Sequence, residues 1–211
     1  MSRLLEIGKK ALQDEAKAQF SNSHRALIEI ILNAMDSQIR RDLSDPRRKN
    51  WGEPDPLPPI EVHVEANRFR VRDHGEGMSV EAILTKLLTP KITGNEDSQG
   101  KVIGRFGIGF YSLLNFLGDK HDAIIIKTND GKEGHVVRIS RYFGPEQEQN
   151  GRFAVIVEPM SSQEQQNFGQ GTELFLRSNS LNADVAQSII GDTLTCFPRG
   201  SVARFHRGRC A

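Results

Sequence analysis

Three polar residues recur along an otherwise aliphatic stretch, and their types suit work on a water molecule or a cation. The segment from Arg25 to Asp36 places aliphatic residues on nearly every face of a predicted helix, which indicates a buried helix. Glu29, Asn33 and Asp36 nevertheless fall at i, i+4 and i+7, in one line. Because burying such groups without partners is costly, this line faces water or a polar ligand. If it faces a ligand, Glu29 could deprotonate a water and Asn33 could bind Mg²⁺.

A second polar segment, Asp73-His-Gly-Glu-Gly-Met78, follows a predicted strand. A carboxylate at a strand end can accept hydrogen bonds from an amino-bearing base, and Gly75 and Gly77 would let the backbone approach a flat ligand closely. An ordinary turn explains the segment equally well. It is not a dinucleotide fingerprint, because Val80 occupies the position of the third glycine.

A third segment, Gly104-Arg-Phe-Gly-Ile-Gly-Phe110, leads into a predicted helix. Backbone N–H groups before a helix N-terminus suit phosphate oxygens, although a tight loop packed for steric reasons would read the same way. A Walker-type phosphate loop is excluded. The stretch from Gly94 to Lys101 has one residue too many between its glycines, and Val102 stands where Ser or Thr is required.

The elements that must position these segments follow from hydropathy patterns. Alternating strands are predicted at 60–64, 68–72, 123–128, 135–141, 152–158, 172–177 and 201–206, and helices at 4–20, 25–36, 79–88, 110–117 and 183–196. The Gln/Glu-rich stretches 145–150 and 161–167 are expected to be hairpin loops. Helices cluster early and strands late, which predicts an α+β, two-layer sandwich with helices packed on one face of a mixed, mostly antiparallel sheet.

Composition sets the class of protein. A chain of 211 residues predicts one domain, 1–211, and its net charge of +1 makes no global case for a nucleic-acid or membrane partner. The apolar runs are too short to span a bilayer, and residues 1–10 lack the apolar stretch of a signal peptide. Two cysteines without zinc-type spacing favour a reducing, cytoplasmic setting.

The order of these segments, ending in Gly171-Thr172 on a late strand, resembles one superfamily of ATP-binding domains. That superfamily (the Bergerat fold) joins DNA gyrase B, the ninety-kilodalton heat-shock chaperones, sensor histidine kinases and MutL. Phe20-Ser-Asn and the run Ile103-Gly-Arg-Phe-Gly-Ile-Gly-Phe-Tyr-Ser112 are most similar to the chaperone branch. The resemblance extends from Phe20 to His206.

The resemblance implies a role for each matched residue. Asp73 would bind the adenine amino group with Gly77 and a water held by Thr172, while Met78 packs on the base. Asn33 would hold Mg²⁺, and Glu29 would activate the attacking water. The remaining nucleotide contacts would come from Asp36, from Gly75, from Lys91 in a lid at 89–102, and from the backbone of Gly104, Arg105, Phe106, Gly107, Ile108, Gly109 and Phe110. Asp36 is expected to support the site, paired with Arg40.

The resulting hypothesis is a Mg²⁺-dependent ATPase that binds ATP or ADP, hydrolyses ATP slowly, and switches partner contacts by lid closure in a chaperone-like role. The alternatives are a nucleotide-gated module of a DNA-associated machine and a binding module that does not hydrolyse ATP. Dimerisation is possible in a longer protein, and the basic tail 198–211 could link to a further domain. Departures from the chaperones are Glu76 in place of an aliphatic residue, His74 in place of a small polar one, and nothing before Leu4 like their exchanged N-terminal strand.

Overall fold

The computed structural model describes residues 2–5, 24–45, 58–87, 108–141, 153–195 and 203–207. Within these ranges the strands form one eight-stranded sheet in the order β1-β6-β5-β4-β7-β3-β2-β8. β2 and β8 are parallel, and every other neighbouring pair is antiparallel. The strands are β1 Ser2–Leu5, β2 Ile60–Glu65, β3 Arg68–Arg72, β4 Ala123–Asn129, β5 Gly134–Ser140, β6 Phe153–Pro159, β7 Gly171–Arg177 and β8 Ala203–Arg207.

One face of the sheet is apolar and the other is charged, as alternating strands require. The inward residues of the central strands are aliphatic or aromatic and nearly fully buried: Ile60, Val62, Val64, Phe69, Val71, Ile124, Ile126, Val137, Ile139, Leu174 and Leu176. On the outer face, Arg70 of β3 forms ion pairs with Glu61 of β2 and Glu173 of β7. The core therefore lies between the inner face and the helices.

Five helices are described. They are α1 Arg25–Ser44; α2 Val80–Ala82, continued by a π-helical turn Ile83–Leu87; α3 Ile108–Leu113, continued by a 3₁₀ turn Leu114–Phe116; α4 Ser162–Phe168; and α5 Ala183–Thr195. α1 packs against α3, α5 and strands β2 and β3, and α5 packs against β2 and β8. This confirms the predicted α+β sandwich. None of the described helices is long and apolar enough to cross a membrane.

Two local expectations are wrong. Ser2–Leu5 form a strand that pairs with Phe153–Ile156 of β6, whereas a helix was expected from Leu4. Residues 161–167 were expected to be a loop, yet Ser162–Phe168 form α4. A capping box explains this helix: the Ser161 hydroxyl accepts from the Glu164 amide, and the Glu164 carboxylate accepts from the Ser161 amide.

Candidate nucleotide site

A cavity opens between α1 and the inner face of the sheet. Its largely apolar wall with a few polar groups is typical of a small-molecule site. Of the residues predicted for the site, six line it: Asn33, Asp73, Gly77, Met78, Phe110 and Thr172. The other lining residues are Ile30, Ala34, Ser37, Arg40, Val71, Ile126 and Leu174.

Asp73 lies directly after β3 and is only 4% exposed. Its backbone N–H donates to the Thr172 carbonyl at 2.8 Å, which extends the β3–β7 ladder by one residue. Its Oδ1 accepts from the Gly75 amide at 2.8 Å and from the Thr172 amide at 3.2 Å. Among the described residues, both hydrogen bonds to the carboxylate reach the same oxygen, Oδ1.

Burial raises the pKa of Asp73 to about 6, against the lowering effects of the Gly75 and Thr172 amides and of the Arg72 and Arg40 charges. Arg72 is itself fixed beneath the site. Its guanidinium donates to the carbonyls of Asp73 and Phe168, both at 2.7 Å, and stacks 3.8 Å from the Phe168 ring centroid. At neutral pH, Asp73 is therefore an ionised acceptor in a largely apolar pocket.

The two glycines of the Asp73–Met78 loop are required for different structural reasons. Gly77 has φ 71°, and a Cβ there would collide with the carbonyl oxygen of Asn129. The backbone at Gly77 thus needs glycine, and it lines the cavity. A Cβ at Gly75 would collide with Ser37 of α1. Gly75 is required for packing of the loop on the helix, and it is not among the cavity-lining residues.

A pair of threonines fixes the far wall, and the sequence revealed only one of them. Thr172 of β7 and Thr128 of β4 are register partners, and their hydroxyl oxygens lie 3.1 Å apart. Thr128 is fully buried, and its Oγ1 accepts from the Met78 amide at 2.8 Å. It was missed because a threonine at a strand end carries no distinguishing signal until its partner strand is known.

The polar line on α1 is rotated from the one that the sequence predicted. The helix residues that face the cavity are Ile30, Asn33, Ala34, Ser37 and Arg40, so its polar members continue from Asn33 to Ser37 and Arg40. Asn33 Oδ1 is buried and has no hydrogen-bond partner within the described ranges. A buried amide oxygen left in this way costs free energy.

Glu29 and Asp36 belong to the helix but not to the cavity lining. Glu29 is half-buried one turn before Asn33, and burial raises its pKa above the ordinary value. Asp36 is 4% exposed. Its expected pairing with Arg40 stays a prediction.

Arg40 and Glu76 form an ion pair at the cavity wall. Arg40 Nε donates to Glu76 Oε2 at 2.9 Å. The backbone at Glu76 is anchored as well, since its amide donates to Ser37 Oγ at 3.0 Å and its carbonyl accepts from Gln170 Nε2 at 3.1 Å. The sequence singled out Glu76 only as a departure from the chaperones, and Arg40 only as a possible partner of Asp36.

Several predicted contacts lie outside the described residues: the lid 89–102 with Lys91, the loop residues Gly104, Arg105, Phe106 and Gly107, and the tail 198–211 apart from β8. Ile108 and Gly109 begin α3, and Phe110 on that helix is 5% exposed and lines the cavity. The structure thus brings the end of the glycine segment to the same cavity as Asp73 and Asn33.

The fold and the cavity define a nucleotide-binding class of protein, and sequence comparison agrees. The profile of the family described as "Histidine kinase-, DNA gyrase B-, and HSP90-like ATPase" matches residues 21–172. The chain belongs to this family of ATPase domains, and ATP binding is the function that membership supports.

The individual relatives are named as a heat shock protein and as chaperone proteins. Heat shock protein 75 kDa, mitochondrial, of Bos taurus is 31% identical over 120 residues, which cover 50% of this chain and 16% of that protein. Chaperone protein HtpG of Halorhodospira halophila is 32% identical over 107 residues, covering 45% and 17%, and HtpG of Magnetococcus marinus is 31% identical over 136 residues, covering 58% and 21%. The matched region therefore spans about a fifth or less of these relatives.

Proposed function

We propose that this chain is a single ATP-binding domain that binds ATP with Mg²⁺, hydrolyses it slowly, and couples the nucleotide to a conformational switch in a chaperone-like protein. The observation that carries the proposal is a largely apolar cavity lined by Asp73 and Asn33. The described residues hold Asp73 by hydrogen bonds to Oδ1, and Asn33 Oδ1 has no hydrogen-bond partner among them. A ligand with an amino-bearing ring at one end and a metal-bound polar group at the other fits both residues.

Adenine recognition follows from the Asp73 carboxylate. Oδ1 is already held by two backbone amides, so Oδ2 is oriented toward the cavity before the base arrives. Adenine presents an amino donor to it, whereas guanine would present a carbonyl oxygen and be repelled. Gly77 lets the backbone approach the ring, and Thr172 holds a water against it. Met78 packs on the face of the base.

Asn33 fits the role of metal ligand. Its buried amide oxygen has no partner within the described ranges, and a hard oxygen is what Mg²⁺ prefers. One protein ligand is enough, since Mg²⁺ usually keeps several waters and shares phosphate oxygens. When bound, Mg²⁺ would neutralise charge on the phosphates.

Glu29 is the proposed general base for water. Burial raises the pKa of Glu29 above its ordinary value, which strengthens the carboxylate as a proton acceptor. The resemblance adds a phosphate loop at 104–110 and a lid at 89–102 with Lys91. The names of the heat-shock relatives support the chaperone-like purpose, including contact with protein partners.

Measuring ATP turnover tests the proposed hydrolysis. ATP turnover of Glu29→Gln is expected to fall by roughly 100-fold or more, with ATP affinity retained, because a general base contributes that order of rate. Equal turnover in the two proteins would remove Glu29 as the base and leave a module that binds ATP without hydrolysing it. Stimulation of turnover by DNA would instead favour a DNA-associated machine.

Calorimetry distinguishes the binding of the metal from the binding of adenine. In Asn33→Ala, the dependence of ADP affinity on Mg²⁺ is expected to disappear while adenosine affinity is unchanged, because adenosine has no phosphate to share a metal. Glu158→Gln, on the exposed end of β6, is the matched control and should alter neither. A metal effect that persists without Asn33 contradicts its assignment.

A further inference from the structure

The cavity is lined by a cation as well as by the carboxylate that is proposed to bind the base. Arg40 and Asp73 both line it, and the charge of Arg40 already contributes to lowering the pKa of Asp73. An arginine beside a buried carboxylate tends to pair with it, because the charge-assisted bond is strong where water is excluded. Such a pair would occupy the oxygen that adenine needs.

Glu76 forms an ion pair with this arginine. Its carboxylate accepts from Arg40 Nε at 2.9 Å, and its backbone is fixed on both sides by Ser37 and Gln170. Gln170 Nε2 also donates to the Asp130 carbonyl at 3.2 Å, which ties the loop to the β4–β5 turn. The Glu76 carboxylate, which accepts from Arg40, is therefore carried by a backbone segment that hydrogen bonds hold in place.

The other cation near Asp73 does not need such a restraint. Arg72 is 5% exposed, and two backbone carbonyls and the Phe168 ring hold its guanidinium. The side chains of Arg40 and Glu76 are 35% and 43% exposed. An exposed pair of this kind adds little to stability, so its effect lies in where it places the guanidinium.

We propose that Glu76 is a positioning residue of the adenine site: its carboxylate holds Arg40 at the cavity wall and so keeps Asp73 available for the amino group of the base. This rests on the proposed function, because it assumes that the cavity binds adenine. It also gives a physical reason for the carboxylate at a position where the resembling chaperones carry an aliphatic residue.

Adenosine is the probe, since it carries the base without phosphates that titrate or bind metal. Its affinity is measured by calorimetry between pH 5 and 8 for wild type, Glu76→Gln, and the double variant Arg40→Gln/Glu76→Gln. For Glu76→Gln we expect affinity at neutral pH to fall about tenfold, as Arg40 pairs with Asp73. The pH at which binding is half lost should move below the wild-type value. The double variant lacks Arg40, so its affinity at neutral pH and the pH at which its binding is half lost should both return to the wild-type values.

Glu158→Gln is the matched control, because it removes an exposed carboxylate paired with Arg138 at 3.6 Å on the outer face. It should leave the adenosine profile unchanged. Wild-type affinity in Glu76→Gln would overturn the inference, and so would a loss that the double variant fails to recover, since Glu76 would then act only on the loop's structure. If wild type itself binds no adenosine, the proposed function fails first and this inference with it.

Discussion

Two buried aspartates lie at opposite ends of β7, and they use their oxygens differently. Asp73 bonds to Thr172 near the beginning of the strand, and Asp122 bonds to Asn179 just beyond its end. They are 4% and 3% exposed, so burial does not distinguish them. Asp122 Oδ2 accepts from the amides of Gly118 and Asp119 at 2.8 and 2.7 Å, and its Oδ1 accepts from the Asn179 amide at 2.9 Å.

Asp122 thus accepts from backbone donors on both oxygens, whereas Asp73 receives donors from the described residues on one oxygen and lines a cavity. A carboxylate satisfied on both oxygens ties loops together. One satisfied on a single oxygen is oriented but still has capacity for a ligand. The number of oxygens that accept backbone donors, rather than burial, therefore distinguishes Asp73, the proposed binding residue, from Asp122.

The sharpest test of this contrast is Asp73→Asn. The new carbonyl oxygen must take the Oδ1 position to accept two amides, so its NH₂ group faces the cavity and meets the adenine amino group donor to donor. Adenosine affinity is expected to fall roughly 100-fold or more, with the circular dichroism spectrum unchanged. An unchanged affinity by calorimetry would contradict the assignment of Asp73 as the adenine-binding residue.

At the other end of β7, Asp122→Asn should act on stability alone. Its NH₂ group would oppose backbone donors that the carboxylate now satisfies, and the free energy of unfolding is expected to fall by about 3 to 4 kcal/mol. Urea denaturation measures this, and adenosine affinity of the folded protein should equal that of wild type. A loss of affinity without a loss of stability would reverse the roles assigned to the two aspartates.

Because the pKa of Asp73 is raised, the stability of the unliganded protein should depend on pH in a direction that is unusual for a carboxyl group. Folding raises this pKa from 3.8 to about 6, so the folded state holds the proton more tightly. The stability that this group contributes is full below pH 3.8 and is lost as pH rises through about 6, a change of at most about 3 kcal/mol. Asp73→Asn should therefore be more stable than wild type at pH 7.5, and the difference should vanish near pH 4. A constant difference across that range would contradict the raised pKa.

The smallest expected effects come from removing hydroxyl groups near the two ends of β7. Thr128→Val leaves the Met78 amide without its acceptor, and Ser178→Ala removes the hydroxyl that donates to the Phe116 carbonyl. Each is expected to lower the free energy of unfolding by about 1 kcal/mol. Only Thr128→Val should also weaken adenosine binding, by a few-fold, because Met78 is proposed to pack on the base. An equal change of affinity in both variants would mean that the two ends are not independent.

Local patterns predicted most of the fold. Alternation placed the strands from β2 to β8, and aliphatic periodicity placed α1, because both patterns depend on one buried face. The missed helix α4 carried a readable capping box at Ser161 and Glu164, which its Gln-rich composition obscured. The missed strand β1 carried no such signal, since its only described partner lies in β6, far along the chain.

The site was predictable in kind but not in arrangement. Residue types and motif order pointed to Asp73, Gly77, Met78, Asn33, Phe110 and Thr172, which all line the cavity. Thr128, Ser37 and the Arg40–Glu76 pair depend on which strand and which helix face meet across the pocket. The helix line from Asn33 to Arg40 differs from the predicted line through Glu29 and Asp36 by a rotation that is fixed only when α1 packs on the sheet.

The sheet order also sets how this chain must fold. Ser2 pairs with Ile156, Ile60 with Ala203, and Arg68 with Arg177, so these ladders join segments distant in sequence. Only neighbours such as β2 with β3 and β4 with β5 can pair across short turns. Chains dominated by distant pairings close large loops before those contacts repay the entropy, and they fold slowly. The two hairpins are therefore the natural early structures, and the rate at which β7 inserts between β3 and β4 governs when the nucleotide cavity first exists.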